Sequence, residues 1–214
     1  MKRQYPILLV LLILTLCMSG CFDYNEKLIV KRDGSGTMEV DMWYNKDMNI
    51  ETDSLSIDLS QEKAEMEREI RAKFTSEKVT LTHYDFEEKD DKKHVNFRVA
   101  FPHILDLNEL KQFSYNKISY KVTEGNVTYH RDIYMGDDED TDSNGDTSSN
   151  FLSRFVLLMV EEFLENVKFN FELETPAKIK TSNAKSTPSK NKAVWTYRLS
   201  EVMYDRKITI SATF

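Results

Sequence analysis

The stretch LIVKRDGSGTMEVDMWY, residues 28–44, decides how this chain folds. Apolar side chains fall at every second position: Leu28 and Val30 before the centre, then Met38, Val40, Met42 and Tyr44 after it. A period of two places such residues on one face of an extended strand. Between the two runs lies Asp33-Gly34-Ser35-Gly36. The pattern predicts two antiparallel strands joined by a tight glycine-rich turn. A GSG between two strands, not ahead of a helix, reads as a turn and not as a phosphate cradle.

The same alternation recurs outward from this hairpin. Val79 and Leu81, then Val95, Phe97, Val99 and Phe101, predict two strands, with the charged run 87–93 as a loop between them and Pro102 as the end. Ile118, Tyr120 and Val122 turn at Glu124-Gly125-Asn126 into Val127, Tyr129 and Ile133. Phe169, Phe171 and Leu173 form a strand closed by Pro176. The Lys/Ser/Thr/Pro stretch 178–192 reads as loop with a short strand at Ile179. Ala193, Trp195, Tyr197 and Leu199 form the next strand, and Ile208, Ile210, Ala212 and Phe214 the last.

Helical spacing appears at Met66, Ile70 and Phe74, with Asp58 as candidate cap and Gln61 three residues on. A short helix is expected over 106–113 and a strongly apolar one over 151–166. Hairpins alternating with helices predict antiparallel neighbours. The expected class is α+β: a curved antiparallel sheet of about eight strands with two or three helices. Residues 21–214 are read as a single domain, with 136–150 as an acidic loop.

The leader speaks to location. Lys2 and Arg3 precede an apolar run from Ile7 to Met18, and Ser19-Gly20-Cys21 follows. This is the form of a secretory signal over residues 1–20, its apolar run shorter than the ~20 residues a spanning helix needs. Met18-Ser19-Gly20-Cys21 resembles the bacterial lipobox, with Met where Leu is usual. That resemblance implies a diacylglycerol on the Cys21 sulfur and an acyl chain, typically palmitate, on the new amino terminus. Cys17 fits poorly, because bulky Leu16 precedes it. An ordinary cleaved signal and a retained anchor helix are the competing readings. Phe22 follows the cysteine, where an Asp would favour inner-membrane retention, so the outer membrane is mildly favoured if the envelope has two.

Composition bounds the partners. Of 29 Lys and Arg, two lie in the leader, so the remainder carries 27 against 36 Asp and Glu, a net charge of −9. Such a body repels nucleic acid and anionic membrane surfaces, and no nucleic-acid partner is expected. Acyl chains would hold it to the bilayer instead, each buried methylene contributing about 0.8 kcal/mol. Only Cys17 and Cys21 occur, so no disulfide framework exists after processing.

In the 151–166 segment, Phe151, Leu152, Phe155 to Val160, Phe163 and Leu164 leave little polar face. It reads as a buried core helix. Competing readings are the wall of an amphiphile pocket lined by Phe155, Met159 and Phe163, or a contact with a partner or the membrane. The acidic loop holds Asp140, Asp142, Asn144 and Asp146 at the spacing of half an EF-hand calcium loop. Phe151 occupies the position of the bidentate Glu, so a solvated loop is the plainer reading and no metal site is assigned. His83, His94, His103 and His130 have no metal-site spacing and read as exposed strand histidines, although His83 and His94 flank one hairpin. There is no GxSxG, SxxK or P-loop.

Taken together, the lipobox cysteine, the opening Leu28 to Tyr44, and the closing Phe169 to Pro176, Ser182-Asn183, Val194-Trp195 and Ile208 to Phe214 resemble the LppM-type bacterial lipoprotein domain. Ala177 stands where that pattern often has Gly. The resemblance implies an envelope-anchored α+β domain without catalytic residues, one member being associated with glycolipid binding. The expected function is therefore a non-enzymatic, lipid-anchored protein of the bacterial envelope, binding a lipid or other amphiphile and needing no cofactor. An interaction or assembly protein that displays a surface to envelope proteins is the alternative.

Overall fold

The computed structural model describes residues 22–46, 59–113, 116–134, 167–205 and 207–214. The opening hairpin forms as its pattern dictates: β1 (Phe22–Val30) pairs antiparallel with β2 (Gly36–Asn45), Leu28 opposite Met38 and Val30 opposite Gly36. Ser35 donates from its N–H and its hydroxyl to the Asp33 carboxylate at 3.0 and 2.7 Å, and Gly34 takes φ +84°. Gly36 is required for space, since a Cβ there would lie 2.0 Å from the Ile29 carbonyl oxygen.

The helix α1 (Leu59–Phe74) follows, then β3 (Thr80–Lys89) and β4 (Lys92–Phe101). Two 3-10 segments, Ile104–Glu109 and Lys111–Phe113, lead to β5 (Ile118–Thr123) and β6 (Asn126–Tyr134). The chain is described again from β7 (Lys168–Glu174) through β8 (Thr181–Ser182), β9 (Ser186–Ser189) and β10 (Lys192–Arg198). It closes with the short helix α2 (Leu199–Asp205) and β11 (Lys207–Thr213).

These strands make two sheets. One has seven strands in the order β3-β4-β2-β1-β7-β10-β9, the other four in the order β5-β6-β11-β8. The α+β expectation is therefore corrected: the fold is mostly β, with two sheets where one curved sheet was expected and few, short helices among the described residues. Polar stretches without apolar periodicity account for the difference. The 87–93 run is strand on both sides of a two-residue turn at Asp90 and Asp91, both at positive φ (52° and 59°), and the 178–192 stretch contributes β8 and β9. The segment 106–113 is 3-10, not α-helix. One neighbour pair breaks the antiparallel rule, since β1 runs parallel to β7.

A single core joins the layers. The inner face of the seven-stranded sheet buries Phe22, Tyr24, Leu28, Met38, Val40, Met42 and Phe97. Ile70 and Phe74 of α1 pack onto it, with the Phe74 and Phe97 rings 4.8 Å apart. The four-stranded sheet adds Tyr129, Ile133, Ile208, Ile210 and Phe214. Burying an aromatic or aliphatic side chain of this size contributes about 1.5–3 kcal/mol.

Two charges sit inside this core. Glu26 of β1 and Arg131 of β6 lie on the buried parity of their strands, 5% and 1% exposed, and pair through Arg131 Nη1 and Glu26 Oε1. The Tyr24 hydroxyl donates to Glu26 Oε2 at 2.9 Å, and the guanidinium lies 4.6 Å from the centre of the Phe113 ring. Burial works to lower the Arg131 pKa, but Glu26 outweighs it and keeps the guanidinium charged. Burial, with Glu26 adding to it, pushes the Tyr24 hydroxyl well above its ordinary value, and Tyr129 is pushed up to about 12. The pair ties the two sheets together and is sealed from solvent.

Candidate functional site

The alternate residues of the same strands face outward and build a polar surface. Strand register arranges them in rows across the sheet. One row runs Glu87, His94, Trp43, Asp23, Lys168, Arg198; the next Asp85, Asn96, Asp41, Asn25, Asn170, Thr196; the third His83, Arg98, Glu39, Lys27, Glu172, Val194. With strands about 4.8 Å apart, a six-strand row spans roughly 24 Å.

The middle of this face is a groove of about 480 Å³, lined by Asn25, Lys27, Glu39, Asp41, Asn170, Glu172 and Val194. Its side chains hold one another in place. Asn170 donates to Asn25 Oδ1 at 2.9 Å and accepts from the Thr196 hydroxyl at 2.7 Å. Asn96 donates to Asp41 at 3.2 Å, and Arg98 to Glu39 at 2.8 Å. Burial tends to raise the Glu39 carboxyl, yet the donors Arg98 and Asn96 prevail and hold it below the usual range. Lys27 and Lys192 both bridge Glu172 and Glu174, at 3.2–3.6 Å. The hydrogen bond from Lys192 holds Glu174 below the ordinary carboxylate value.

At one end of the groove the His94 ring stacks on Trp43 with centres 4.0 Å apart and planes 11° apart. Its Nε2 is 2.7 Å from Asp41 Oδ2 and its Nδ1 3.2 Å from Glu87 Oε1. His94 is thus not the exposed strand histidine expected: its side chain is 14% exposed. Nor does it meet His83, which stands opposite Arg98 while His94 stands opposite Glu87. Both ring nitrogens face carboxylates, and among the described residues no hydroxyl or thiol bonds to the ring. The arrangement fixes a flat aromatic platform beside a polar trough. Among the described residues no three His, Cys, Asp or Glu side chains converge as metal ligands.

Residues 16–210 match the LIC11874-like family. The chain belongs to that family. No curated protein matches it. The NMR structure of the folded domain of LppM from Mycobacterium tuberculosis is similar to this member of the family, at a TM-score of 0.46 and 12% identity over 91% of this chain and 90% of that one. The resemblance read from the two ends of the sequence pointed to the same domain.

Of the residues singled out from sequence, His94 stands at the end of this groove. Cys21, the candidate pocket residues Phe155, Met159 and Phe163, and the calcium candidates Asp140, Asp142, Asn144 and Asp146 all lie outside the described residues. The groove residues escaped sequence reading because each is merely the polar alternate of a strand. Only strand order brings Asn25, Asp41 and Asn170 side by side, and that order includes a parallel pairing between residues about 145 positions apart. The buried pair carried a legible signal: Glu26 stands in the apolar parity of Phe22, Tyr24 and Leu28, and Arg131 in that of Tyr129 and Ile133.

Proposed function

We propose that this protein is a lipid-anchored envelope protein that binds, without catalysis, a hydroxyl-rich ligand in the groove of its large sheet. The anchor reading rests on Met18-Ser19-Gly20-Cys21 behind a short apolar run, and the family match opens at Leu16, so it takes in these residues. β1 starts at Phe22, the residue after the cysteine, and Phe22 is itself buried. No residue lies between Cys21 and Phe22, so acyl chains on the cysteine would keep this end of β1 next to the bilayer.

The single observation that supports binding is the groove. Its lining side chains are amides, carboxylates and the Lys27 ammonium, with Val194 the one apolar residue among them. An acyl chain finds only one apolar side chain here, Val194. Sugar hydroxyls, which both donate and accept, match side chains such as Asn25, Asn170 and Asp41. The Trp43–His94 platform offers a flat face for a saccharide ring. An amphiphile is then held by its head group, and a glycan by a few of its rings.

The test is calorimetric titration of the full mature protein, in neutral detergent, with soluble fragments of envelope glycans. Binding in the micromolar to millimolar range is expected, weakened about tenfold or more by Asn170→Ala or Asp41→Ala, a loss of roughly 1.4 kcal/mol. Absence of binding across the fragment set, or equal binding by both variants, would refute the reading.

A further inference from the structure

A second surface lies at the opposite end of the strands from Cys21. Because β1 and β7 run parallel, with Ile29 opposite Glu174, the 31–35 turn and the chain leaving β7 at Thr175 emerge at the same end. Backbone bonds from Thr175 N to Asn191 O (2.9 Å) and from Ile179 N to Lys190 O (2.8 Å) fold the 175–192 excursion back on itself there.

That excursion carries Lys178, Lys180, Lys185, Lys190 and Lys192 and not one acid, in a chain whose mature part has an excess of nine negative charges. Lys185 pairs with Glu201, and Lys192 with Glu172 and Glu174. Lys178, Lys180 and Lys190 are exposed, as are Lys31 and Arg32 in the adjoining turn. Among the described residues none of these five cations has a carboxylate within ion-pair distance; Lys180 meets only the Asn126 amide oxygen. Nearby acids do little to offset them. Asp33 is turned onto Ser35, Asp106 and Glu109 are taken up by Lys78, and Glu124 remains at the tip of the β5–β6 hairpin. Lys27, Lys46, Lys63, Lys73, Lys78, Lys93 and Lys207 each pair with an acid, whereas these five cations gather at one end of the strands beside an acid-free stretch, a surface that repels itself unless an anion covers it.

We infer that this basic end docks a phosphate-bearing polyanionic polymer. The choice of a polymer over a lipid surface rests on the anchor reading. Nine residues of β1 at about 3.3 Å each hold the basic end roughly 30 Å from Cys21, beyond the ~8 Å reach of unscreened charge from the protein's own bilayer.

The test uses full mature protein in neutral detergent and long-chain inorganic polyphosphate as the probe. Binding weakens with salt, and Lys178→Glu combined with Lys190→Glu lowers affinity about tenfold or more and reduces the salt slope by about two. Lys168→Glu, at the anchor end, leaves affinity unchanged. These positions are exposed, so circular dichroism and the melting temperature verify that each variant folds. No binding, equal loss in the Lys168 variant, or tighter binding to phosphatidylglycerol vesicles than to polyphosphate at equal phosphate would overturn the inference. Because the assay needs no acylation, its failure is distinguishable from failure of the anchor.

Discussion

Replacing Arg131 by Met should cost about 3–5 kcal/mol, because it strands the Glu26 carboxylate inside the core. Glu26→Leu should cost a similar amount, leaving a guanidinium buried among Tyr129, Phe113 and Phe171 and depriving the Tyr24 hydroxyl of its acceptor. Changing both removes both charges. Only the orphaned Tyr24 hydroxyl then remains, about 1–3 kcal/mol, and Tyr24→Phe should recover most of that. Independent sites would sum to roughly 6–10 kcal/mol, so the cycle should show a coupling of at least ~3 kcal/mol. Urea unfolding reports it: Trp195 is fully buried, and its fluorescence changes on exposure. Single variants that each cost under ~1 kcal/mol, or a double variant as destabilised as the sum, would refute the view that this pair ties the two sheets together.

Other expectations concern single positions and pH. Gly36→Ala should destabilise by about 1–3 kcal/mol or more in the same urea assay, since its Cβ meets the Ile29 carbonyl at 2.0 Å and the Phe101 ring at 2.8 Å. Trp195→Phe should cost about 1–3 kcal/mol by removing the 2.8 Å bond from the indole N–H to Asn183, which ties β10 to the chain after β8. Tyr129 is protonated in both states below pH 10, and its pKa is pushed up to about 12 in the fold. Its contribution is therefore fully present below pH 10 and lost as pH rises from 10 toward 12; unfolding midpoints should fall over that window, and less so in Tyr129→Phe.

How much the sequence discloses depends on whether one strand carries the message. The 28–44 hairpin and the Glu124-Gly125 hairpin were legible because apolar alternation and turn chemistry lie within a few residues of each other. Strand identity in 87–93 and 178–192 was hidden, because those residues are mostly polar, none of 87–93 is buried, and they pair through backbone groups whatever their side chains. The expectation of an α+β fold with one curved sheet failed for this reason. The groove was hidden more deeply, since it depends on β7 lying parallel beside β1. Glu26 and Arg131 were visible as charges on an apolar parity, a signal that identifies a buried pair only when both are read together.

The most direct measurement is mass spectrometry of the amino-terminal peptide of the protein extracted from its native membrane. The peptide should begin at Cys21 and carry the mass of a thioether-linked diacylglycerol. A peptide that begins at Cys21 with a free thiol, or one that retains residues 1–20, would contradict it.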